Sequence, residues 1–203
     1  MVRSRYLLAV LAVVVLAGCT FSITGETIDG SSGPETPAPA ANGSNISVPG
    51  GERVTVGVID VVDGDTIDVR LPDGSEDTVR LVGVDTPEVH VENDPAEYEG
   101  VPDTRAGATC LREAGHDASS YLETRLAAGN VSLVFDPNTD RRGGYDRLLA
   151  HVYVGEHNVN YDLVATGNAR VYDTDFTLRT EFDAAEQRAR TNRAGLWQCQ
   201  TAG

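Results

Sequence analysis

Two acidic segments on either side of one tight-turn signal constrain this chain most strongly. Residues 62–68 read Val-Asp-Gly-Asp-Thr-Ile-Asp, and residues 80–88 read Arg-Leu-Val-Gly-Val-Asp-Thr-Pro-Glu. Between them lies Pro72-Asp73-Gly74-Ser75. Proline presets the first dihedral of a turn and glycine accepts positive φ, so the chain should reverse there. The flanking residues are rich in Val, Ile and Thr, which predicts two antiparallel strands joined by this turn.

Such a hairpin would bring several polar side chains together at one end of a sheet. Asp65 stands at the start of one strand and Asp85 at the end of the other, with Thr86, Glu88 and Arg80 close by. Paired aspartate oxygens suit a hard divalent cation. An arginine beside them can hold a phosphate through two parallel hydrogen bonds. The pattern therefore predicts a cation site next to a phosphate site.

These residues resemble the signature of the thermonuclease family, the staphylococcal-nuclease-like phosphodiesterases. That family shows a D-G-D-T element, then R-x-x-x-x-D-T-P-E, then a downstream Y-G-R-like element. In the same order this chain carries Asp63-Gly64-Asp65-Thr66, then Arg80 through Asp85-Thr86-Pro87-Glu88, then Gly144-Tyr145-Asp146-Arg147. The resemblance covers residues 53–197. It is weaker at residues 143–144, two glycines that precede Tyr145 where family members often carry a charged residue.

The resemblance implies a role for each matching residue. Asp65, Asp85 and the backbone carbonyl of Thr86 would hold a Ca²⁺ ion. Arg80 and Arg147 would grip the scissile phosphate and stabilise the charge that develops in the transition state.

Two further residues have roles that the resemblance leaves more open. Glu88 would lie beside the attacking water, either as the general base or as the group that orients the water. Tyr172 would contact a phosphate or a base, or would instead be a partly buried core tyrosine.

The predicted fold class is α+β. The residue pattern alone indicates short strands with a central helix and terminal helices. The resemblance adds an OB-type five-stranded β-barrel with about three helices. We expect this domain at residues 52–199, with an insertion near residues 93–115 that holds a short helix at 105–113, and the next helix at 115–128. Arg80 and Asp85 are five positions apart, so a regular strand would face them oppositely, and we expect a bend at Gly83.

The N-terminus carries export signals. Residues 1–18 have an arginine-containing start and an apolar run, and Cys19 follows Leu-Ala-Gly, a pattern that resembles a lipoprotein signal peptide with Cys19 as the lipidation site. An ordinary signal peptide and an uncleaved anchor are the alternatives. Residues 19–51 are rich in Gly, Ser, Pro and Thr and predict a flexible tether. The expected location is the outer face of the cell membrane, or secretion.

The charge is strongly acidic. The net charge is −15, and all 16 basic residues are arginine. Such a surface repels nucleic acid at long range, so a nuclease of this composition would depend more on metal and hydrogen-bond geometry than on a basic surface. The absence of lysine resembles proteins of salt-loving organisms, with ordinary acidic composition as the alternative. At ~1 M salt the Debye length is only ~3 Å, so the repulsion would be screened.

Two cysteines remain if Cys19 is lipidated. Cys110 lies in the inserted segment and Cys199 follows the final helix. Export allows disulfides to persist, and an even pair predicts a bridge; two free thiols are the alternative.

These inferences together predict a calcium-dependent extracytoplasmic endonuclease. It would be a hydrolase that cleaves phosphodiester bonds of DNA, with RNA as a second candidate substrate. Nucleic acid is the expected partner, the lipid on Cys19 would attach the protein to the membrane, no protein partner is implied, and a monomer is expected. The alternative is a catalytically silent OB-type module that binds nucleic acid or a partner at the cell surface. All five side chains of the implied catalytic set are present, which favours the enzyme: Asp65, Arg80, Asp85, Glu88 and Arg147.

Overall fold

The computed structural model describes residues 45–202. The predicted signal peptide, Cys19 and the tether as far as residue 44 lie outside them. The described elements are eight strands and three α-helices. They are β1 (Glu52–Val61), β2 (Thr66–Arg70), β3 (Glu76–Leu81), β4 (Val84–Asp85), α1 (Arg105–Leu126), β5 (Asn130–Phe135), β6 (Leu148–Val154), β7 (His157–Asn158), α2 (Val159–Ala165), β8 (Arg170–Val171) and α3 (Arg179–Thr191). Short 3₁₀ helices cover Pro95–Glu97, Gly144–Asp146 and Gly195–Thr201.

Five strands close into a mixed β-barrel. The order is β3-β2-β1-β5-β6, and β6 returns to pair with β3. That closing pair is parallel, whereas the β1–β2, β2–β3, β1–β5 and β5–β6 pairs are antiparallel. The apolar residues of these strands face inward, with Ile67, Val79 and Leu133 fully buried. The expected α+β fold with a five-stranded OB-type barrel and three helices is confirmed.

The predicted hairpin is formed by β2 and β3. Gly74 adopts φ +89° in the turn, and the N–H of Leu71 donates to the carbonyl of Ser75 at 2.8 Å. The pairing sets Thr66 opposite Arg80. The register therefore places Asp65, one residue before β2, beside the end of β3.

The inserted segment differs from the expectation of a loop with a separate short helix. Residues 105–126 form one continuous helix, so neither the break at 113–115 nor the extension to residue 128 is correct. Thr104 begins the helix, since its hydroxyl oxygen accepts from the N–H of Gly107 at 3.1 Å. Gly115 lies where a Cβ would stand 2.4 Å from the carbonyl oxygen of Pro87. Gly115 therefore allows α1 to approach the loop that contains Pro87. The prediction that a helix starts at Gly115 is wrong.

Residues 93–104 therefore remain as the inserted loop, and they pack on the C-terminus. A second apolar cluster joins this loop, α1 and the last residues of the chain. Its buried members are Tyr98, Val101, Leu111, Ala114, Ala189, Leu196, Trp197 and Cys199. A disulfide links Cys110 to Cys199 inside this region.

The packed domain also begins before the expected residue 52. Val48 is buried, Ile46 packs against the barrel core, and the hydroxyl of Tyr153 donates to the carbonyl of Ile46 at 2.9 Å. Residues 45–51 are thus part of the folded domain and do not belong to the tether. Apolar side chains placed between the glycines and prolines of this stretch account for the difference. No helix within residues 45–202 is long and apolar enough to cross a membrane.

Candidate active site

A bend after β3 brings Arg80 and Asp85 to the same side. Gly83 adopts φ +76°, and a Cβ there would stand 2.6 Å from the ring of Phe176. Only glycine fits both conditions without strain. The Nη2 atom of Arg80 consequently donates to Oδ1 of Asp85 at 2.8 Å. The expected bend at Gly83 is present.

Asp65 is buried and held by several hydrogen bonds. Its Oδ2 accepts from the backbone N–H of Thr86 at 2.9 Å and from the hydroxyl of Thr86 at 3.1 Å. Its Oδ1 accepts from the hydroxyl of Thr66 at 3.1 Å and pairs with Nη1 of Arg80. Asp65 and Asp85 therefore meet on one guanidinium, as the hairpin predicted.

The charge of Arg80 depends on its carboxylate neighbours. Burial lowers the pKa of Arg80, whereas Asp85 and Asp63 raise it. An arginine stays protonated under such opposing influences. Arg80 thus keeps a positive charge between two carboxylates that would otherwise repel each other.

Glu88 projects from the loop that follows β4. Its backbone is clamped by Asn93, whose side-chain oxygen accepts from the Glu88 N–H at 2.7 Å and whose amide donates to the Glu88 carbonyl at 2.8 Å. Its side chain is free of this clamp and is exposed. Partial desolvation nevertheless raises the pKa of Glu88, and the negative charges of Asp63 and Asp85 raise it further. A carboxylate whose pKa is raised is a stronger base, which suits proton abstraction from water.

Arg147 and Tyr172 border the same cleft. A cleft of about 430 Å³ is lined by Arg80, Gly83, Asp85, Tyr145, Arg147, Tyr172 and neighbouring residues. Arg147 lies 5.6 Å from the ring centroid of Tyr145, and its Nε donates to the carbonyl of Gly144 at 3.4 Å. Within residues 45–202 it forms no ion pair with a carboxylate, so its charge is available to an anion. Tyr172 is 49% exposed, which agrees with a surface contact better than with a core tyrosine.

Sequence reasoning missed two charged residues at this site. Arg170 pairs through Nη2 with Oδ2 of Asp85 at 2.7 Å, and Asp63 accepts from the N–H of Asp65 at 3.1 Å. Asp63 is part of the D-G-D-T element, so the motif contained a signal for it. Arg170 faces Asp85 only because β8 pairs with β4, a long-range pairing that no local pattern reveals.

The donor set at this end of the barrel consists of oxygen atoms. Asp65 and Asp85 contribute carboxylates, and Thr86, whose N–H donates to Asp65, carries the backbone carbonyl that the resemblance assigns as a third oxygen. No group of three or more His, Cys, Asp or Glu side chains with metal-binding geometry occurs within residues 45–202. Two carboxylates and a carbonyl nevertheless fit a hard divalent cation whose remaining ligands come from water and phosphate. Arg80 lies between the two carboxylates and contributes a positive charge there.

Comparison with known proteins finds a family match. Residues 78–199 match the family model described as staphylococcal nuclease homologue. The match begins within β3, so the D-G-D-T element lies upstream of it.

Individual proteins also match this chain in sequence. Uncharacterized protein MJ1439 of Methanocaldococcus jannaschii is 40% identical over 147 residues, which cover 69% of this chain and 70% of that protein. Endonuclease YncB of Bacillus subtilis is 35% identical over 139 residues, which cover 67% of this chain and 58% of YncB. The match therefore spans less than two thirds of the length of YncB. Thermonuclease of Staphylococcus hyicus is 30% identical over 145 residues, covering 70% of this chain and 75% of the thermonuclease. The chain belongs to the staphylococcal nuclease family.

Proposed function

We propose that the chain is a calcium-dependent, extracytoplasmic endonuclease that hydrolyses phosphodiester bonds of DNA, with RNA as a second substrate. One observation carries this proposal. Asp65 and Asp85 converge on Arg80 at the edge of a cleft that also exposes Arg147, with Glu88 on the loop that follows Asp85. The relatives named endonuclease and thermonuclease support the same reaction class.

The residues divide the work of hydrolysis between them. Ca²⁺, when bound by Asp65, Asp85 and the Thr86 carbonyl, supplies positive charge that neutralises the phosphate. Glu88 accepts a proton from the water whose oxygen attacks phosphorus. Arg80 and Arg147 donate hydrogen bonds to the phosphate oxygens and stabilise the extra negative charge of the transition state.

Bond making and breaking then balance in a single in-line step. The bond between the water oxygen and phosphorus forms while the bond from phosphorus to the 5′-oxygen breaks. The departing 5′-oxygen takes up a proton from solvent water, and the strand is left with a 3′-phosphate and a 5′-hydroxyl. The proton on Glu88 returns to solvent before the next cycle.

The N-terminal sequence supports the location in this proposal. A lipoprotein-like signal precedes Cys19, and a lipid there would hold the domain at the outer face of the membrane. The Cys110–Cys199 disulfide is of the kind that persists in oxidising compartments. Release of the chain as a secreted nuclease would use the same export step.

The test is digestion of single-stranded DNA by the purified protein, with Ca²⁺ or with a chelator, in dilute buffer and in molar salt. We expect cleavage with Ca²⁺ and none with chelator. Cleavage products should carry 3′-phosphate ends. Binding of DNA without cleavage under every Ca²⁺ and salt condition would instead identify a silent OB-type binding module.

A further inference from the structure

We propose that Arg170 is a positioning residue that fixes the orientation of the Asp85 carboxylate, and that Glu97 and Tyr98 of the inserted loop fix Arg170 in turn. This inference rests on the proposed nuclease function. It assigns to the inserted loop a part in the reaction that the catalytic signature does not contain.

The two oxygens of Asp85 face different guanidinium groups. Asp85 and Arg170 lie directly opposite each other in the β4–β8 pair. Oδ2 of Asp85 lies 2.7 Å from Nη2 of Arg170, while Oδ1 accepts from Arg80 at 2.8 Å. With Oδ2 engaged in this way, Oδ1 is the oxygen that contacts Arg80, the residue that also pairs with Asp65.

The inserted loop holds Arg170 from the other side. Oε2 of Glu97 lies 3.4 Å from Nη2 of Arg170, and the guanidinium carbon lies 5.2 Å from the ring centroid of Tyr98. Tyr98 is 3% exposed and packs in the cluster that contains Trp197 and Cys199. Contacts therefore run without a break from the disulfide-linked C-terminus, through the loop, to a ligand of the proposed cation site.

The physical effects of Arg170 on binding and on turnover have opposite signs. Its positive charge repels a cation on Asp85, so its removal should leave cation binding equal or stronger. A freed carboxylate, however, can turn and offer both oxygens to Ca²⁺, which accepts either mode. That rotation would change how Asp85 is oriented beside the phosphate and would slow turnover. A purely structural residue would not separate the two effects, since loss of structure weakens both.

The test compares Arg170→Gln and Arg170→Lys with the wild-type protein. Ca²⁺ binding is measured by calorimetry without substrate, and kcat is measured at saturating Ca²⁺ on single-stranded DNA. We expect Arg170→Gln to lower kcat by about 10- to 100-fold, the usual range for residues that orient a metal ligand, with an unchanged or lower Kd for Ca²⁺. Arg170→Lys keeps the charge and should recover part of kcat.

Arg190 offers a matched control. It pairs with Glu99 of the inserted loop at 2.8 Å and lies 5.1 Å from the ring centroid of Trp197, as Arg170 does with Glu97 and Tyr98. Within the described residues it forms no ion pair with Asp65, Asp85 or Glu88. Arg190→Gln should therefore leave kcat at the wild-type value.

The outcomes separate this inference from the function on which it rests. If the wild type is active, two results for Arg170→Gln would overturn the positioning role. One is a kcat within about twofold of the wild-type value, and the other is a loss of Ca²⁺ binding and a lower melting temperature together with the loss of kcat. If Arg170→Gln does not fold, the test uses Glu97→Gln instead. Glu97 is exposed, so its substitution should leave the fold intact. A fall in kcat of about threefold, the size expected for one lost hydrogen bond, supports the role, and wild-type kcat refutes it. A wild type without Ca²⁺-dependent cleavage refutes the proposed function and this inference with it.

Discussion

Arg80 links the two halves of the candidate site, because its guanidinium contacts both Asp65 and Asp85. Planar guanidinium geometry allows one side chain to bridge two carboxylates, or to grip a phosphate with two hydrogen bonds. A lysine at the same place would retain the charge but not the paired donors.

Arg80→Lys should therefore lower kcat by about 10²–10³-fold, the usual cost of losing a transition-state hydrogen-bond donor. The fold should survive, since a positive charge still lies between the carboxylates. Steady-state cleavage and thermal melting measure the two effects. Arg142→Lys is the control. Arg142 is exposed, and it pairs at 2.6 Å with Asp77, which lies on another part of β3 than Arg80. Equal kcat values for wild type and Arg80→Lys would show that Arg80 is not a phosphate ligand.

Glu88→Gln should lower kcat by about 10²–10⁴-fold, the range for loss of a general base. A base acts when deprotonated, and burial and the nearby Asp63 and Asp85 raise the pKa of Glu88. Wild-type kcat should therefore fall as the pH is lowered and Glu88 becomes protonated, and this acid limb should vanish in the variant. Calorimetry should show Ca²⁺ binding retained. Loss of Ca²⁺ binding with turnover spared in saturating metal would mean that the role is wrong.

At the scale of elements, local patterns predicted the β2–β3 hairpin and the bend at Gly83, since turn residues and alternating side chains act over short distances. They did not predict the continuity of α1, because Gly115 reads as a helix boundary unless its contact with Pro87 is known. Local patterns did not predict Arg170 as a residue of the site for a similar reason. Its place opposite Asp85 depends on the pairing of β4 with β8, and the two residues are 85 positions apart in the numbering.

The disulfide should contribute strongly to the stability of the domain. Cys110 and Cys199 are separated by 89 positions, and a closed loop of this length gives about 4–5 kcal/mol in the chain-entropy model. Replacing both cysteines with serine should lower the free energy of unfolding by up to this amount in urea titrations. Thiol titration of the denatured, non-reduced wild type should find neither Cys110 nor Cys199 reactive. Two reactive thiols beyond any from Cys19 would rule the bridge out.

At the scale of the whole molecule, charge is the dominant property. The chain carries 31 acidic and 16 basic residues, so like charges repel across the surface of the folded domain. This repulsion opposes both folding and the approach of nucleic acid, and dissolved salt screens it. Local contacts at the site, which lie closer than a Debye length, are screened less.

We expect the melting temperature to be higher in molar KCl than in dilute buffer, because screening removes repulsion from the compact state. Differential scanning calorimetry of the same preparation at increasing KCl measures this directly. A melting temperature that falls between dilute buffer and molar KCl would contradict a salt-adapted surface.

If the carboxylates beside Arg80 hold Ca²⁺, cleavage must depend on calcium. The most direct test is the rate of single-stranded DNA cleavage against free Ca²⁺ concentration for wild type, Asp85→Asn and Asp77→Asn. Asp77 lies on β3 and pairs with Arg142, so its variant controls for loss of one acidic charge. We predict that cleavage by the wild type saturates with Ca²⁺ and is abolished by a chelator, and that Asp77→Asn gives the same curve. Asp85→Asn should reach a lower maximal rate and should need a higher Ca²⁺ concentration to reach it. Cleavage that persists in the presence of the chelator, or superimposable curves for wild type and Asp85→Asn, would show that these carboxylates do not hold a catalytic Ca²⁺ ion.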